Sequence, residues 1–131
     1  MTVFNLEDSP GVWFDHEEGG RIKLRSISVD KWKEIRKQTV KKKVDYKKIE
    51  GSPVRLEFEE VNEDLQNELF WDEVIVSWEK FFDGKGNEIP CTKENKMLLM
   101  MRSMKFAKFV NECLKTLSED EEKQNEVIEK N

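Results

Sequence analysis

The chain has 131 residues, a formal net charge of −5 at pH 7, and 39% charged against 37% hydrophobic residues. This length suits one domain with a single modest core, and four Trp and eight Phe are more aromatic mass than a disordered chain carries. The acidic total argues against a dedicated nucleic-acid binder. No window approaches the roughly 20 apolar residues of a membrane span, and the N-terminus lacks signal-peptide features. We expect a soluble, cytoplasmic domain.

Two β-favouring runs near the start, 12–15 and 21–27, predict an N-terminal β-hairpin, because apolar and basic side chains alternate along the second run. Ser28 then stands as a hydroxyl N-cap before a set of apolar residues at three-residue steps: Val29, Trp32 and Ile35. This spacing predicts a short surface helix that ends near residue 39 or 40.

The middle of the chain is predicted to pass from a loop into a strand and then into a long helix. Residues 41–52 are charge-rich and end in Gly-Ser-Pro, which indicates a connecting loop. Residues 54–58 alternate like a strand, and apolar residues then return every three to four positions from 61 to 82. The helix should end at Asp83, with four large aromatic side chains in the core: Trp71, Trp78, Phe81 and Phe82.

The C-terminal third predicts two helices. Thr92 is a suitable N-cap for a helix from Lys93, which Arg102 and Ser103 loosen or bend. The clearest helical pattern of the sequence then follows, with apolar residues at i, i+3, i+4 and i+7: Phe106, Phe109, Val110, Cys113, Leu114 and Leu117. After Ser118 the acidic run has little to bury, so it is either an exposed helical extension or a frayed tail.

Together these patterns predict an α+β fold: a mostly helical single domain with an N-terminal β-hairpin, a third short strand and three to four helices. Residues 1–118 form the compact domain, and residues 119–131 form the acidic, exposed or frayed C-terminal tail.

The candidate catalytic and metal-binding residues are better explained by structural roles. His16 stands alone among acidic residues of a hairpin tip, which predicts a solvated turn histidine. Glu57 and Glu59 share a strand face without a supporting motif, which favours ordinary charged surface. The loop 83–94 has Lys85 where a calcium ligand belongs. Two cysteines, Cys91 and Cys113, indicate reduced thiols. We therefore expect a non-enzymatic protein without catalytic residues, metal or cofactor.

Four methionines recur at three- and four-residue spacing beside Leu98 and Leu99: Met97, Met100, Met101 and Met104. Flexible thioethers pack adaptably, so this strip is either core or a groove for the apolar segment of a partner. The groove interpretation predicts that Met100→Glu and Met101→Glu weaken partner binding more than they lower the melting temperature.

A basic segment from Lys31 to Lys48 interleaves lysines with Trp32 and Tyr46. Lysines with a stacking aromatic could contact phosphates. A solvated helix face followed by a lysine-rich loop is the simpler interpretation, because no nucleic-acid-binding signature accompanies the segment.

The order of these features resembles the tail assembly chaperones of long-tailed, siphovirus-type bacteriophages and prophages. Five stretches carry the resemblance: Val12-Trp13-Phe14, the run 20–28 with the Trp32 helix, Asp72-Glu73-Val74-Ile75-Val76-Ser77-Trp78, the stretch 83–95, and the helix 106–110 with the terminal Glu129-Lys130-Asn131. The likeness covers most of the chain and rests on a pattern of elements more than on invariant residues.

The resemblance implies a non-enzymatic protein of the bacterial host cytoplasm that keeps the aggregation-prone tape-measure protein soluble and helps tail-tube subunits assemble around it. Such a protein is absent from the finished virion, and family members often occur also in a longer, frameshifted form. The alternatives are a structural head-tail adaptor or other virion component, and a small nucleic-acid-associated protein that uses residues 31–48. The sequence leaves a homo-oligomer open.

Overall fold

The computed structural model describes the backbone of residues 1–130 and the side chains of residues 1–121. It is a small single-domain α+β fold, and its described part contains five strands and four helices. In chain order they are β1 (Val12–Asp15), β2 (Arg21–Leu24), α1 (Val29–Thr39), β3 (Val40–Ile49), β4 (Ser52–Val61), α2 (Glu63–Val74), β5 (Ile75–Glu79), α3 (Lys93–Arg102) and α4 (Met104–Lys130). The N-terminal hairpin is confirmed.

The central element is a three-stranded antiparallel sheet with the order β1-β2-β5. Its middle strand, β2, places Ile22 opposite Trp78 and Leu24 opposite Ile75. Both β2 side chains are fully buried. The core therefore begins where strands from residues 21–24 and 75–79 meet.

Helix α4 covers this sheet with one apolar stripe. Phe106, Val110, Cys113 and Leu117 are all buried, and their spacing of four, three and four residues keeps them on one helix face. The first three join the buried residues of β2 and β5 in one core cluster. The helical pattern predicted for 106–117 is confirmed.

The remaining helices pack beside this core. Trp32 of α1 meets Phe70 of α2 edge to face, with ring centroids 6.0 Å apart. Helix α3 begins at the predicted Thr92 cap, whose hydroxyl accepts the Asn95 N–H. The buried Lys96 of α3 reaches α2, where its Nζ donates to the Asp72 carboxylate over 3.0 Å.

The prediction of a connecting loop at residues 41–52 is wrong, because the chain forms a long antiparallel hairpin there. Strands β3 and β4 pair along ten residues each, joined by a two-residue turn. The turn residues Glu50 and Gly51 both have positive φ, at 54° and 81°. Two positive-φ residues give the twist that a tight hairpin needs. Glu rarely adopts that conformation, so the sequence carries a weak turn signal.

The single helix predicted for 61–82 is also wrong. Helix α2 ends at Val74, and residues 75–79 continue as β5. Pairing with β2 overrides the helical spacing, and β-branched Ile75 and Val76 suit a strand. Phe82, expected in the core, is 58% exposed. With five strands in two sheets, "mostly helical" overstates the helix content.

The turn at 83–87 reverses the chain after a strand, not between two helices. The Asp83 carboxylate accepts backbone N–H groups from Lys85 and Asn87 over 2.8 and 3.0 Å. Phe82 and Glu88 then form a single antiparallel bridge. The Asp83 Oδ1 thus closes the turn, and no group of carboxylates with metal-binding geometry lies here among the described residues.

At the C-terminal end, α4 continues through residue 118 to Lys130 without a break. The side chains of 122–131 lie outside the described residues, so the tail predicted for 119–131 and the boundary at 118 stay predictions. None of the described helices is both long enough and apolar enough to cross a membrane.

We expect Gly20→Ala to destabilise the fold, because Gly20 has φ +79° and a Cβ there would lie 2.6 Å from the Lys80 carbonyl oxygen. Gly19→Ala is the matched control, since Gly19 also has positive φ, +103°, but nothing within 4 Å. The free energy of unfolding in urea should fall by about 1–3 kcal/mol more for Gly20→Ala. Equal losses would contradict the close approach of the hairpin to residues 80–81.

Candidate partner-binding surface

The methionine strip divides between the core and the surface. Met101 and Met104 are 75% and 78% exposed, and Leu98 is 42% exposed. Met97 and Met100 are half-buried, and Met100 packs against the core cluster. The strip is therefore neither wholly core nor wholly surface.

The break between α3 and α4 explains this division. Ser103 has an extended backbone, with φ −110° and ψ 104°, and its Oγ accepts the Phe106 N–H as α4 begins. The spacing of the methionines within residues 97–104 places them on one face only if the helix is continuous. Because Met104 starts a second helix, it does not continue the stripe to which Met100 belongs.

A cleft of about 290 Å³ lies beside this break. Its lining comes from the β1–β2 turn, the residues after β5, and the facing ends of α3 and α4: His16, Glu18, Gly19, Lys80, Phe81, Phe82, Ile89, Leu99, Ser103, Lys105, Phe106 and Phe109. Phe81 meets Phe106 and Phe109 edge to face, at centroid distances of 6.2 and 6.5 Å. Met104 stands in the chain between two lining residues.

His16 lies at the hairpin turn, as predicted, but it belongs to the wall of this cleft and is less solvated than expected. Its half-buried ring meets the Phe109 ring edge to face, with centroids 4.6 Å apart. Its Nδ1 accepts the Glu18 N–H over 3.0 Å. The sequence spacing gave no sign that Phe109 would lie here.

One exposed ion pair joins two sides of the cleft. Lys105, from the first turn of α4, donates to the Glu18 carboxylate in the β1–β2 turn. This hydrogen bond is the main reason that the pKa of Glu18 lies below its ordinary value. Both side chains are about two-thirds exposed, so solvent screens the pair and it contributes little to folding.

The size and walls of the cleft suit an apolar side chain. Its volume lies at the lower limit of the ~300–1,000 Å³ that small-molecule sites usually have. Four phenylalanine rings, Ile89 and Leu99 supply the apolar walls. Exposed Met101 and Met104 extend apolar surface along the adjoining helices. Together they form a candidate partner-binding surface. It includes Phe82, which was predicted to lie in the core but is exposed.

The other candidate residues form no catalytic or metal centre in the part of the chain that the structure describes. Glu57 pairs with Arg55 over 2.9 Å, and Glu59 with Arg36 over 3.6 Å. No group of three or more His, Cys, Asp or Glu side chains among these residues has the geometry to hold a metal ion. Cys91 and Cys113 are free thiols.

Comparisons of the chain with protein-family models, with curated proteins and with solved structures find no match.

Cys113 should react slowly with alkylating reagents, because burial raises its pKa to about 11. At pH 8 roughly a thousandth of such a thiol is thiolate, against roughly a quarter for an unperturbed cysteine. We expect iodoacetamide labelling, followed by peptide mass spectrometry, to be about 100-fold slower in the folded protein than in urea. Similar rates in both states would show that Cys113 is accessible and ionised.

Proposed function

We propose that this protein is a non-enzymatic tail assembly chaperone of a long-tailed bacteriophage or prophage. It binds the tape-measure protein in the cytoplasm of the bacterial host and assists assembly of the tail tube through protein–protein contacts. The sequence resemblance suggests the class. The exposure of Met101 and Met104 beside an apolar cleft is the observation that supports it best.

The mechanism follows from the chemistry of this surface. An apolar side chain of the client enters the cleft, while the two flexible methionines adapt to the apolar residues on either side of it. A cleft of this size holds one side chain, so each contact is modest in affinity. Many copies along one long client then act together by avidity.

The charged exterior serves the same function. The chain carries 51 charged residues, 23 basic and 28 acidic, and a net charge of −5. Charge of one sign on every copy opposes association between loaded complexes. A client segment covered by this protein is thus kept away from other exposed apolar segments.

The proposal predicts that Met101→Glu combined with Met104→Glu lowers client solubility, because a carboxylate at an apolar interface must lose its hydration. The client is the very long helical protein expected from the gene directly downstream. After co-expression, its soluble fraction should fall roughly tenfold, which corresponds to about 1.4 kcal/mol of binding. The free energy of unfolding should change by no more than about 0.5 kcal/mol, as for other surface substitutions.

Two control variants separate binding from folding. Leu6→Glu combined with Val29→Glu places the same two charges on other exposed apolar residues, 99% and 73% exposed, and should leave client solubility unchanged. Met100→Glu introduces the charge against the core cluster and should lower the melting temperature. If the Leu6/Val29 variant reduces client solubility as much as the Met101/Met104 variant, the effect is one of net charge and the surface assignment fails.

The alternatives predict different compositions of the finished particle. Mass spectrometry of purified virions should find no copies of a chaperone, whereas a head-tail adaptor or other virion component would be present in defined numbers. Detection of this chain in particles at the stoichiometry of a structural ring would overturn the proposal.

A further inference from the structure

The hairpin of β3 and β4, here called the ribbon, stands apart from the core. Its two strands pair with each other over ten residues, and no other strand within residues 1–130 pairs with either of them. Every residue of β3 after Val40 is exposed. Among the described residues, the polar contacts that hold the ribbon to the domain lie at its base: the flanking Asn62 N–H donates to the Thr39 carbonyl, and Arg36 pairs with Glu59.

The two outer edges of the ribbon carry opposite charge. Strand β3 has five lysines and one aspartate, a net charge of +4. Strand β4 has one arginine and three glutamates, a net charge of −2. Within the ribbon only Lys43 among the five lysines forms an ion pair with β4 in the described structure, to Glu60 at 3.2 Å.

A two-stranded ribbon of this kind gains from a further strand. Isolated hairpins are marginally stable in water, and a free strand edge presents unpaired N–H and C=O groups. The ribbon also exposes apolar side chains along its length. Five of them are between 40% and 67% exposed: Val44, Tyr46, Ile49, Phe58 and Val61.

Charge selects which edges can meet. Two β3 edges would bring lysines against lysines, and two β4 edges would bring glutamates together, which is unfavourable for directly opposed like charges. Unlike edges match. In the register of the hairpin itself, Lys41 faces Glu60 and Lys42 faces Glu59. The same alignment between two copies would repeat these pairs.

We propose that the β3 edge of one copy pairs antiparallel with the β4 edge of a second copy. Moving one ribbon by two strand spacings, about 9.5 Å, gives the order β4-β3-β4-β3, in which all neighbours remain antiparallel. Lysines on a strand edge commonly prevent pairing with another strand. Here they prevent pairing with a second β3 edge, but they allow pairing with the acidic β4 edge. The second copy is the occupant because its β4 carries that acidic strand.

This contact is heterologous, because each copy uses two different edges. A pair of copies therefore keeps one free β3 edge and one free β4 edge, so association continues into a ring or an open chain. The contact involves neither the cleft nor the exposed methionines, and it is independent of the proposed function. Within that function it would present many clefts along one client.

The test uses charge exchange and sedimentation velocity of the full chain at low salt. Lys41→Glu with Lys42→Glu, and separately Glu59→Lys with Glu60→Lys, should each abolish association, because like charges then face each other between copies. An equimolar mixture of the two variants should associate again, since each β3 edge now meets an opposite β4 edge. Wild-type association should also weaken as salt shortens the Debye length from about 10 Å at 0.1 M to about 3 Å at 1 M.

Two further variants control for unfolding of the ribbon and for the change in net charge. Lys47→Glu with Lys48→Glu lies opposite Val54 and Pro53, so it reduces the β3 charge without placing glutamates against glutamates inside the hairpin. In the proposed register these two positions face the same uncharged residues of the second copy, so this variant should associate more weakly than the wild type but more strongly than the Lys41/Lys42 variant. Lys31→Glu with Lys33→Glu makes the same charge change on α1 and should associate like the wild type.

Several results would overturn the proposal. A wild-type protein that still sediments as a monomer at about 0.1–1 mM has no such contact at useful strength. Association that persists in the Lys41/Lys42 variant places the contact elsewhere. If the wild type stays monomeric but sediments with duplex DNA, and Lys47/Lys48 variants do not, the lysines serve nucleic acid instead.

Discussion

The antiparallel pairing of β2 with β5 is the contact on which the rest of the structure depends. It joins segments more than 50 residues apart and buries Ile22 and Leu24 against Ile75 and Trp78. Helix α4 then has an apolar surface on which to lie. Because β5 is held beside β2, the residues that follow it reach the β1–β2 turn, where Phe81 approaches Gly20. The cleft is thus a consequence of this strand pairing and of the α3–α4 break beside it.

Exposed apolar surface and core are separated by the directions of neighbouring side chains, which differ by about 100° between successive residues of a helix. Met100 and Met101 are neighbours in one helix, yet one packs toward the core and the other is three-quarters exposed. Phe81 and Phe82 divide in the same way. In this arrangement apolar side chains stay exposed while the core beneath them remains closed, and exposed apolar patches of this kind often mark interaction sites.

The ribbon adds a second kind of surface that depends on main-chain groups and charge. The ribbon buries little surface and is held to the domain at its base. It therefore stands apart from the core at the cost of few contacts. Its opposite edge charges make it suited to a directional contact, whereas the cleft suits an apolar side chain. The two surfaces lie on different elements and do not share residues, so one copy could use both at once.

The sequence by itself determined the elements whose signals are local. The β1–β2 hairpin, the end of α1 near Thr39, the Thr92 cap and the buried stripe of α4 all follow from alternation, capping groups and helical spacing. The methionine spacing predicts a candidate partner-binding strip, but it does not predict which of the methionines are exposed. Tertiary structure decided what depends on distant partners. Residues 75–79 became a strand because β2 offers them hydrogen bonds and a buried face, and residues 41–52 became part of a hairpin through a turn with Glu50 at positive φ. The cleft is lined by residues from three parts of the chain, and no local sequence pattern predicts that they lie close together.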